Sequence, residues 1–203
     1  MIHRALHVGV SGGIGCGKST VCSWLSDIGA YVIDADAISR NCTAASGAGL
    51  PAIRAAFGPG LFSADGTLDR GELRSLVFND ATARKRLEAI LHPLIAAEID
   101  RQTAVAHDQG VTCIAFDIPL LVESPRWRKT LDRVLIVDCR EQTQIDRVVQ
   151  RNGMEPVEVQ KIMAAQSTRR ARLQAADAVL FNDMVNLDEV KATLGAMRAF
   201  FGL

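Results

Sequence analysis

Residues 6–19 read LHVGVSGGIGCGKS. The apolar run at 6–10 predicts a strand, and the following residues match the phosphate-binding pattern G-x-x-x-x-G-K-[ST]. Glycines let backbone N–H groups turn toward phosphate oxygens, and the N-terminus of the next helix adds partial positive charge. We expect Lys18 to reach the β- and γ-phosphates and the Ser19 hydroxyl to ligate Mg²⁺. The segment therefore predicts a strand, a nucleotide-phosphate loop and a helix.

The rest of the chain alternates short apolar runs with helical patterns. Predicted strands cover 31–33, 111–116, 134–137 and 178–181, and predicted helices include 21–28 and 187–201. Short, fully apolar strands separated by helices indicate a parallel sheet covered on both faces. The predicted fold class is therefore α/β, a three-layer P-loop NTPase-type fold with a parallel sheet.

Aspartates follow three of these strands, at Asp34, Asp117 and Asp138. Ligands of open parallel sheets lie at the carboxyl ends of the strands, so these acids are predicted to lie on the functional edge. Asp36 follows two residues after Asp34. On a short extended segment the two side chains would point the same way, and both could then reach the site.

Two further segments belong to the predicted single domain of residues 1–203. Residues 37–110 contain no convincing strand and predict a helical insertion on the core, with a helix start at 69–72. Pro93 is expected to kink or restart the helix there. Residues 140–172 are rich in arginine and predict a lid of two helices split near Asn152 and Gly153.

Composition excludes several classes of protein. The 203 residues are 48% hydrophobic and 23% charged with no net charge, which is typical of a globular chain and argues against non-specific nucleic-acid or membrane binding. No stretch approaches the ~18 apolar residues of a membrane span. The five cysteines form no CxxC pair, which favours a reduced cytoplasmic location. The sequence leaves the oligomeric state open.

The motifs also narrow the class of phosphate chemistry. The chain contains neither N-K-x-D nor D-x-x-G, so a GTPase is not indicated, and no strand ends in Asp-Glu as in motor-type ATPases. A small-molecule kinase whose arginines close over the phosphates fits better. Asp36 is then the favoured acceptor-side carboxylate, with Asp34 as a helix N-cap. Asp117 is an alternative for that role, or holds Mg²⁺ through water.

Several segments together resemble one family, the dephospho-CoA kinases. The resemblance runs from about residue 8 to residue 182 and is carried in order and spacing by residues 10–19, 32–36, 91–95, 117–123 and 176–182. The segments LHPLI and DIPLLVE discriminate most, because many kinases share the phosphate loop. The resemblance implies that the helical insertion of residues 37–110 lies on the substrate side, as the CoA-side subdomain of that family does. Further polar residues fall where the family carries its lid: Gln142, Arg147, Arg151, Gln166, Arg169 and Arg172.

The resemblance implies transfer of the γ-phosphoryl group of ATP, with Mg²⁺, to the 3′-hydroxyl of the ribose of dephospho-CoA. Asp36, Lys18 and Arg147 would be the catalytic residues. ATP would contact Gly12, Gly13, Ile14, Gly15, Cys16, Gly17, Lys18, Ser19, Thr20, Arg147 and Asn182. The acceptor would contact Asp34, Asp36, His92, Pro119, Leu120 and Glu123, and Mg²⁺ would contact Ser19 and, through water, Asp117.

Alternatives remain open at this level. His92 also fits a helix-break histidine satisfied by backbone groups, and the chain also fits another small-molecule kinase or a nucleotide-binding regulator without catalysis. Two residues depart from the family pattern, Cys16 in place of serine and Met184 in place of glycine. A helix N-terminus favours a thiolate, so Cys16 is a hypothesised site of oxidant sensitivity, or else a small filler.

Overall fold

The structure, a computed structural model, describes residues 4–183 and 186–203; Met184 therefore lies outside the described residues. Five parallel strands form one sheet in the order β2-β3-β1-β4-β5. The strands are β1 (Leu6–Gly12), β2 (Tyr31–Asp34), β3 (Cys113–Asp117), β4 (Arg133–Asp138) and β5 (Ala178–Phe181). This confirms the predicted parallel sheet.

Helices connect the strands. They are α1 (Lys18–Asp27), α2 (Ala35–Cys42), α3 (Leu50–Phe57), α4 (Arg70–Asn79), α5 (Ala81–Asp108), α6 (Pro125–Arg128), α7 (Glu141–Asn152), α8 (Pro156–Ala165), α9 (Arg169–Ala175), α10 (Leu187–Ala196) and α11 (Arg198–Phe201), with a short 3-10 helix at Pro59–Leu61. Gly153 ends α7 in the left-handed conformation, which confirms the predicted split between α7 and α8. The closing helix predicted over 187–201 is instead two helices, which meet at Met197.

The core lies against the central strands. Val8 and Val10 of β1 pack with α1 and with the closing helices, where Leu25, Leu194 and Phe201 are completely or almost completely buried. Every residue of β3 is buried, because both faces of the sheet are covered. This packing fixes the carboxyl ends of β1, β3 and β4 along one edge.

Residues 35–104 form a separate compact unit, and residues 1–34 and 105–203 form the other. In the first of these, Ile53, Leu68 and Leu73 form a small buried core of their own. Asp69 caps α4 through its side chain, which accepts hydrogen bonds from two backbone N–H groups at 2.9 and 3.0 Å, as the sequence predicted. The role of the 37–110 insertion on the substrate side stays a prediction.

The helix does not restart at Pro93, because α5 runs through the proline from Ala81 to Asp108, and the alternative of a kink there stays a prediction. Packing continues on both sides of it. A Cβ placed on Gly49 would lie 3.1 Å from a methyl carbon of Leu91 and 3.6 Å from one of Leu94. Tertiary contact therefore offsets the lost backbone hydrogen bond and the local clash that a proline brings to a helix.

One histidine, His7, lies in the sheet itself. The ring of His7, in β1, is 5.2 Å from the ring of Phe116 and 5.6 Å from that of His107. Its Nε2 is buried, and the described residues provide it no hydrogen-bond partner. Burial, helped by the positive charge of Arg4, lowers the pKa of His7 below its usual value, although Thr130 and Asp132 oppose the shift.

This histidine predicts an acid-sensitive stability. A pKa lower in the folded than in the unfolded state means that His7 stabilises the fold above its unfolded pKa, and that the contribution is lost as the pH falls through the folded pKa. Each pKa unit corresponds to about 1.4 kcal/mol at most. We expect urea unfolding at pH 7.5 and pH 5.5 to show a smaller loss of stability in His7→Leu than in the wild type. Equal losses in the two proteins would contradict the prediction.

Candidate active site

The phosphate loop joins β1 to α1 and is closely packed at its glycines. Gly15 and Gly17 have φ values of 74° and 89°, the left-handed region that glycine adopts without strain. A Cβ on Gly17 would lie 2.3 Å from Nδ2 of Asn182, and one on Gly13 would lie 2.3 Å from Oε1 of Gln144. The loop therefore needs glycine both for its conformation and for its contacts.

Lys18 and Asp117 form an ion pair next to this loop. Asp117 ends β3, directly opposite Val10 of β1, so the parallel register brings its carboxylate beside the first residue of α1. The two side chains are largely buried, with 15% and 6% of their surfaces exposed. The aspartate therefore holds the ammonium group at the carboxyl edge of the sheet.

Asn182 and Arg147 meet the other side of the loop. Nδ2 of Asn182 donates a hydrogen bond to the Cys16 carbonyl at 2.8 Å, and Nη1 of Arg147 donates to the Asn182 carbonyl at 2.9 Å. Oδ1 of Asn182 is buried without a partner among the described residues. The structure thus brings together the loop and two residues expected from the family resemblance, one from α7 and one after β5.

Three further contacts around the loop were not predicted individually. Asp138, at the end of β4, accepts hydrogen bonds of 2.7 to 3.1 Å from Arg169 at the start of α9. The Gln144 side chain is buried beside Gly13. Oε1 of Gln166 accepts a hydrogen bond from the Ile14 N–H at 3.0 Å. Asp138 carried a sequence signal because it ends a strand, and Gln166 and Arg169 were named by the family resemblance, but Gln144 carried none.

The segment after β3 carries three expected acceptor residues, Pro119, Leu120 and Glu123. It is attached to the phosphate-loop strand, because the Ser11 hydroxyl donates to the Pro119 carbonyl at 3.2 Å. Leu120 is an exposed apolar residue with 52% of its surface accessible. Oε1 of Glu123 accepts a hydrogen bond from the Ser167 N–H at 2.7 Å. These two hydrogen bonds hold the segment after β3 against the strand of the phosphate loop and against the residues before α9.

The geometry assumed for Asp34 and Asp36 is wrong. Asp34 ends β2 opposite Asp117, but α2 begins at Ala35, so Asp36 lies in a helical turn and not on an extended segment. Acidic residues are favoured in the first turn of a helix by its dipole. Successive helical residues turn by about 100°, so the two side chains do not share a direction in the way strand residues do. Asp36 and the exposed His92 of α5 belong to the 35–104 unit.

The hypothesis of a reactive Cys16 is also wrong. Its side chain is 1% exposed, and burial raises the pKa of the thiol above its usual value despite the opposing charge of Lys18. All five cysteines are buried and unpaired. Cys16 is therefore a small buried residue held as a thiol, and its sulfur lies against Gly12.

Replacing Gly17 gives a prediction with a matched control. Gly17→Ala places a methyl group in a left-handed residue and against Asn182, whereas Gly153→Ala places it in a left-handed residue, φ 65°, with open space around it. Both lose about 1 kcal/mol to backbone strain. We expect only Gly17→Ala to weaken nucleotide affinity, by about fivefold or more, since the clash adds a further 1 kcal/mol or so. Urea unfolding and nucleotide calorimetry measure the two effects. Equal nucleotide affinities in the two variants would contradict the prediction.

Comparison with solved structures places the fold in one class. A Thermus thermophilus crystal structure matches with a TM-score of 0.84 and 29% identity over 97% of this chain and 98% of that one. The dephospho-CoA kinase of Campylobacter jejuni has a TM-score of 0.66 and 22% identity over 98% of each chain. Shikimate kinase from Bacteroides thetaiotaomicron has a TM-score of 0.52 and 14% identity over 98% of this chain and 99% of that one, and it shares the fold alone. The protein has the fold and phosphate loop of a P-loop kinase.

Sequence comparison identifies the family. The family profile of dephospho-CoA kinases matches residues 6–188, and the chain belongs to that family. It is 50% identical to the dephospho-CoA kinase of Albidiferax ferrireducens over 198 residues, 98% of this chain and 93% of its relative. It is 48% identical to the dephospho-CoA kinase of Burkholderia thailandensis over 190 residues, which are 94% of this chain and 92% of its relative.

Membership of this family makes the chain a kinase, a phosphotransferase of CoA biosynthesis. The resemblance seen in the sequence is confirmed, and so is the P-loop fold. Within the described residues, no helix has the length and apolar character needed to cross a membrane.

Proposed function

We propose that this enzyme transfers the γ-phosphoryl group of ATP to the 3′-hydroxyl of the ribose of dephospho-CoA and releases CoA and ADP. The observation that carries the proposal is the Lys18–Asp117 ion pair beside a glycine-dependent phosphate loop. Family membership over residues 6–188 supports dephospho-CoA as the acceptor. We also propose a cytoplasmic location, where the five buried cysteines stay reduced.

The proposed nucleotide contacts follow from the loop. Backbone N–H groups of residue 13, residues 15–20 and the N-terminus of α1 would bind phosphate oxygens of ATP, while the Ile14 N–H keeps its hydrogen bond to Gln166. Lys18 would bring its ammonium group to the β- and γ-phosphates. Arg147, whose Nη1 lies 4.0 Å from a Cβ position on Gly17, would add a second positive charge at the same end of the loop. Asn182 would act by holding the Cys16 carbonyl and so the shape of the loop.

The donors at this edge fit a nucleotide-bound Mg²⁺. The Ser19 hydroxyl is exposed in the first turn of α1, and the Asp117 carboxylate lies at the end of β3 next to Lys18. Mg²⁺ in kinases takes one or two protein ligands, several waters and phosphate oxygens. A bound ion would supply positive charge that offsets the negative charge of the ATP phosphates. Ser19 would hold it directly and Asp117 through water.

We propose Asp36 as the carboxylate that orients the acceptor hydroxyl. It lies two residues beyond the end of β2, so the chain keeps its Cα within about 7 Å of that of Asp34. Asp34, in turn, is in register with Asp117 at the same edge of the sheet. Asp36 would accept the hydrogen bond of the 3′-hydroxyl. His92, Pro119, Leu120 and Glu123 would contribute to the acceptor pocket, and Asp34 would lie beside it.

These groups define a mechanism by position and charge. Phosphoryl transfer proceeds with the attacking and leaving oxygens in line, and the protein acts mostly by holding the reactants and offsetting charge. Lys18 and Arg147 would offset the charge of the moving group, while Asp36 would direct the hydroxyl oxygen toward it and receive its proton. Arginines of the proposed lid, residues 140–172, would exclude water from the phosphates.

The test is ATP consumption by the purified protein with Mg²⁺ and dephospho-CoA, followed by identification of the product. We expect a mass gain of one phosphoryl group and a phosphorus–proton coupling to the ribose 3′ position by NMR. Dephospho-CoA with hydrogen in place of the 3′-hydroxyl is the matched control and should not be phosphorylated. Phosphorylation of that analogue would contradict the proposed site of transfer.

Two other outcomes would change the assignment. Turnover with adenosine or AMP but not with dephospho-CoA would identify another small-molecule kinase. ATP binding with no turnover on any acceptor would indicate a regulator that binds nucleotide without catalysis. Loss of turnover in excess chelator, restored by Mg²⁺, would support the metal requirement.

A further inference from the structure

Two residues between α8 and α9, Gln166 and Ser167, contact two different parts of the proposed site. Oε1 of Gln166 accepts a hydrogen bond from the Ile14 N–H of the phosphate loop at 3.0 Å. The N–H of Ser167 donates to Oε1 of Glu123 at 2.7 Å. The phosphate loop is therefore connected to the segment after β3 through adjacent residues of one linker.

The linker is held at both ends, so its two hydrogen bonds are connected through one short, ordered segment. Gln166 ends α8, with its N–H bonded to the Met163 carbonyl. Thr168 begins α9, with its hydroxyl accepting from the Ala171 N–H at 3.2 Å. Because the peptide unit between Gln166 and Ser167 is planar and rigid, a displacement of one residue displaces the other.

A buried arginine connects the same linker to the loop a second time. Arg172 is 7% exposed, and its Nη1 donates to the Ser167 carbonyl. Its Nη2 lies 3.0 Å from a Cβ position on Gly13. A buried guanidinium contributes to a fixed geometry only when it is hydrogen-bonded, which this one is. The linker and the loop thus contact each other at Gly13 and at Ile14.

We propose that Gln166 is a positioning residue that couples nucleotide binding to acceptor binding. Its side chain fixes the phosphate loop at Ile14, and its neighbour Ser167 fixes Glu123, a residue of the proposed acceptor pocket. The proposal rests on the proposed function, because that function puts nucleotide at the loop and dephospho-CoA near Glu123.

Coupling of this kind has a measurable form. A ligand that orders one end of the linker lowers the free energy required to order the other end, so the second ligand binds more tightly. The effect is reciprocal, and couplings of this type usually change affinity by about 5- to 150-fold. Loss of the Gln166 acceptor oxygen removes the hydrogen bond between the linker and the loop, and it leaves Glu123, Ser167 and the packing of Arg172 near Gly13 in place.

The test compares the affinity for a non-hydrolysable ATP analogue, with Mg²⁺, in the absence and in the presence of saturating dephospho-CoA. Calorimetry should show at least about fivefold tighter binding with dephospho-CoA in the wild type. Gln166→Met keeps the length of the side chain but lacks the acceptor oxygen, and its ratio should fall below about twofold. Gln160→Met, at an exposed position of α8, is the matched control and should keep the wild-type ratio.

A second readout follows the loop itself. Hydrogen exchange of the Ile14 amide in the nucleotide-free protein should be faster in Gln166→Met than in the wild type. It should stay slow in Gln160→Met, and also in Gln166→Glu, which retains an oxygen acceptor. An Ile14 amide that exchanges equally in Gln166→Met and in the wild type would overturn the positioning role.

The outcomes separate the two proposals. A wild-type protein that neither binds nor phosphorylates dephospho-CoA contradicts the proposed function and removes the coupling with it. An active wild type that shows no coupling, or the same coupling in Gln166→Met, overturns the role of Gln166 alone.

Discussion

Lys18→Met should lower kcat by at least about a thousandfold with a modest rise in the KM for ATP, because the lost charge acts mainly on the transferring phosphoryl group. The Lys18 side chain is mostly buried beside Asp117, so bulk water and solvent cations do not replace its ammonium group. The methionine keeps the length and apolar stem of the side chain. Steady-state kinetics with varied ATP and dephospho-CoA separate kcat from KM.

The matched control is Lys191→Met, on α10. Its ammonium group lies 3.5 Å from Asp27, and both side chains are about half exposed, so this pair contributes little. Its kcat should stay within about twofold of the wild type, as expected for a surface pair. A Lys18→Met enzyme that retained a tenth of the wild-type kcat would remove Lys18 from the chemistry and leave it a role in binding only.

The parts of the fold that the sequence predicts well have local causes. The apolar strand, the glycines and the lysine of residues 6–19 lie together along the chain, so the pattern contains the whole phosphate loop. Strand ends are equally local, and Asp34, Asp117 and Asp138 do end β2, β3 and β4. The parallel register then places these ends along one edge without further information from the sequence.

Contacts between distant residues were missed for the opposite reason. Gln166 and Ile14 are 152 residues apart, and no periodicity or spacing relates them. Gln144 lies on a helix that is polar on average, so nothing in the sequence marks its side chain as buried beside Gly13. Gln144 becomes recognisable only when α7 is packed against the loop, whereas the family resemblance named Gln166 but not its partner.

Local rules also failed where tertiary structure overrode them. The rule that proline interrupts a helix predicted a kink or a restart at Pro93, but α5 does not restart there, and Leu91 and Leu94 pack on either side of the proline. The alternation expected for an extended segment fails at Asp36, because the helix starts directly after the last residue of β2. In both cases the sequence shows which residue is present, but the backbone conformation expected for it, a helix restart or an extended segment, is wrong.

Asp36, in the first turn of α2, leads to a further prediction. Asp36→Asn keeps the volume and one acceptor oxygen but removes the negative charge that would orient the hydroxyl and receive its proton. A positioned acid or base contributes about 10²- to 10⁴-fold to rate, so kcat should fall within that range. The KM for ATP should change by less than about twofold, since the loss falls on the acceptor side of the reaction.

Asp34→Asn is the matched control, since it makes the same change two residues earlier, at the end of β2. It should lower kcat far less, because Asp34 would lie beside the acceptor without taking its proton. A near-normal kcat in Asp36→Asn together with a large loss in Asp34→Asn would exchange their roles. If kcat fell in neither variant, Asp117 would be the remaining candidate for the carboxylate that receives the hydroxyl proton. Its carboxylate is already paired with Lys18, however, so it is better suited to the phosphate side of the site.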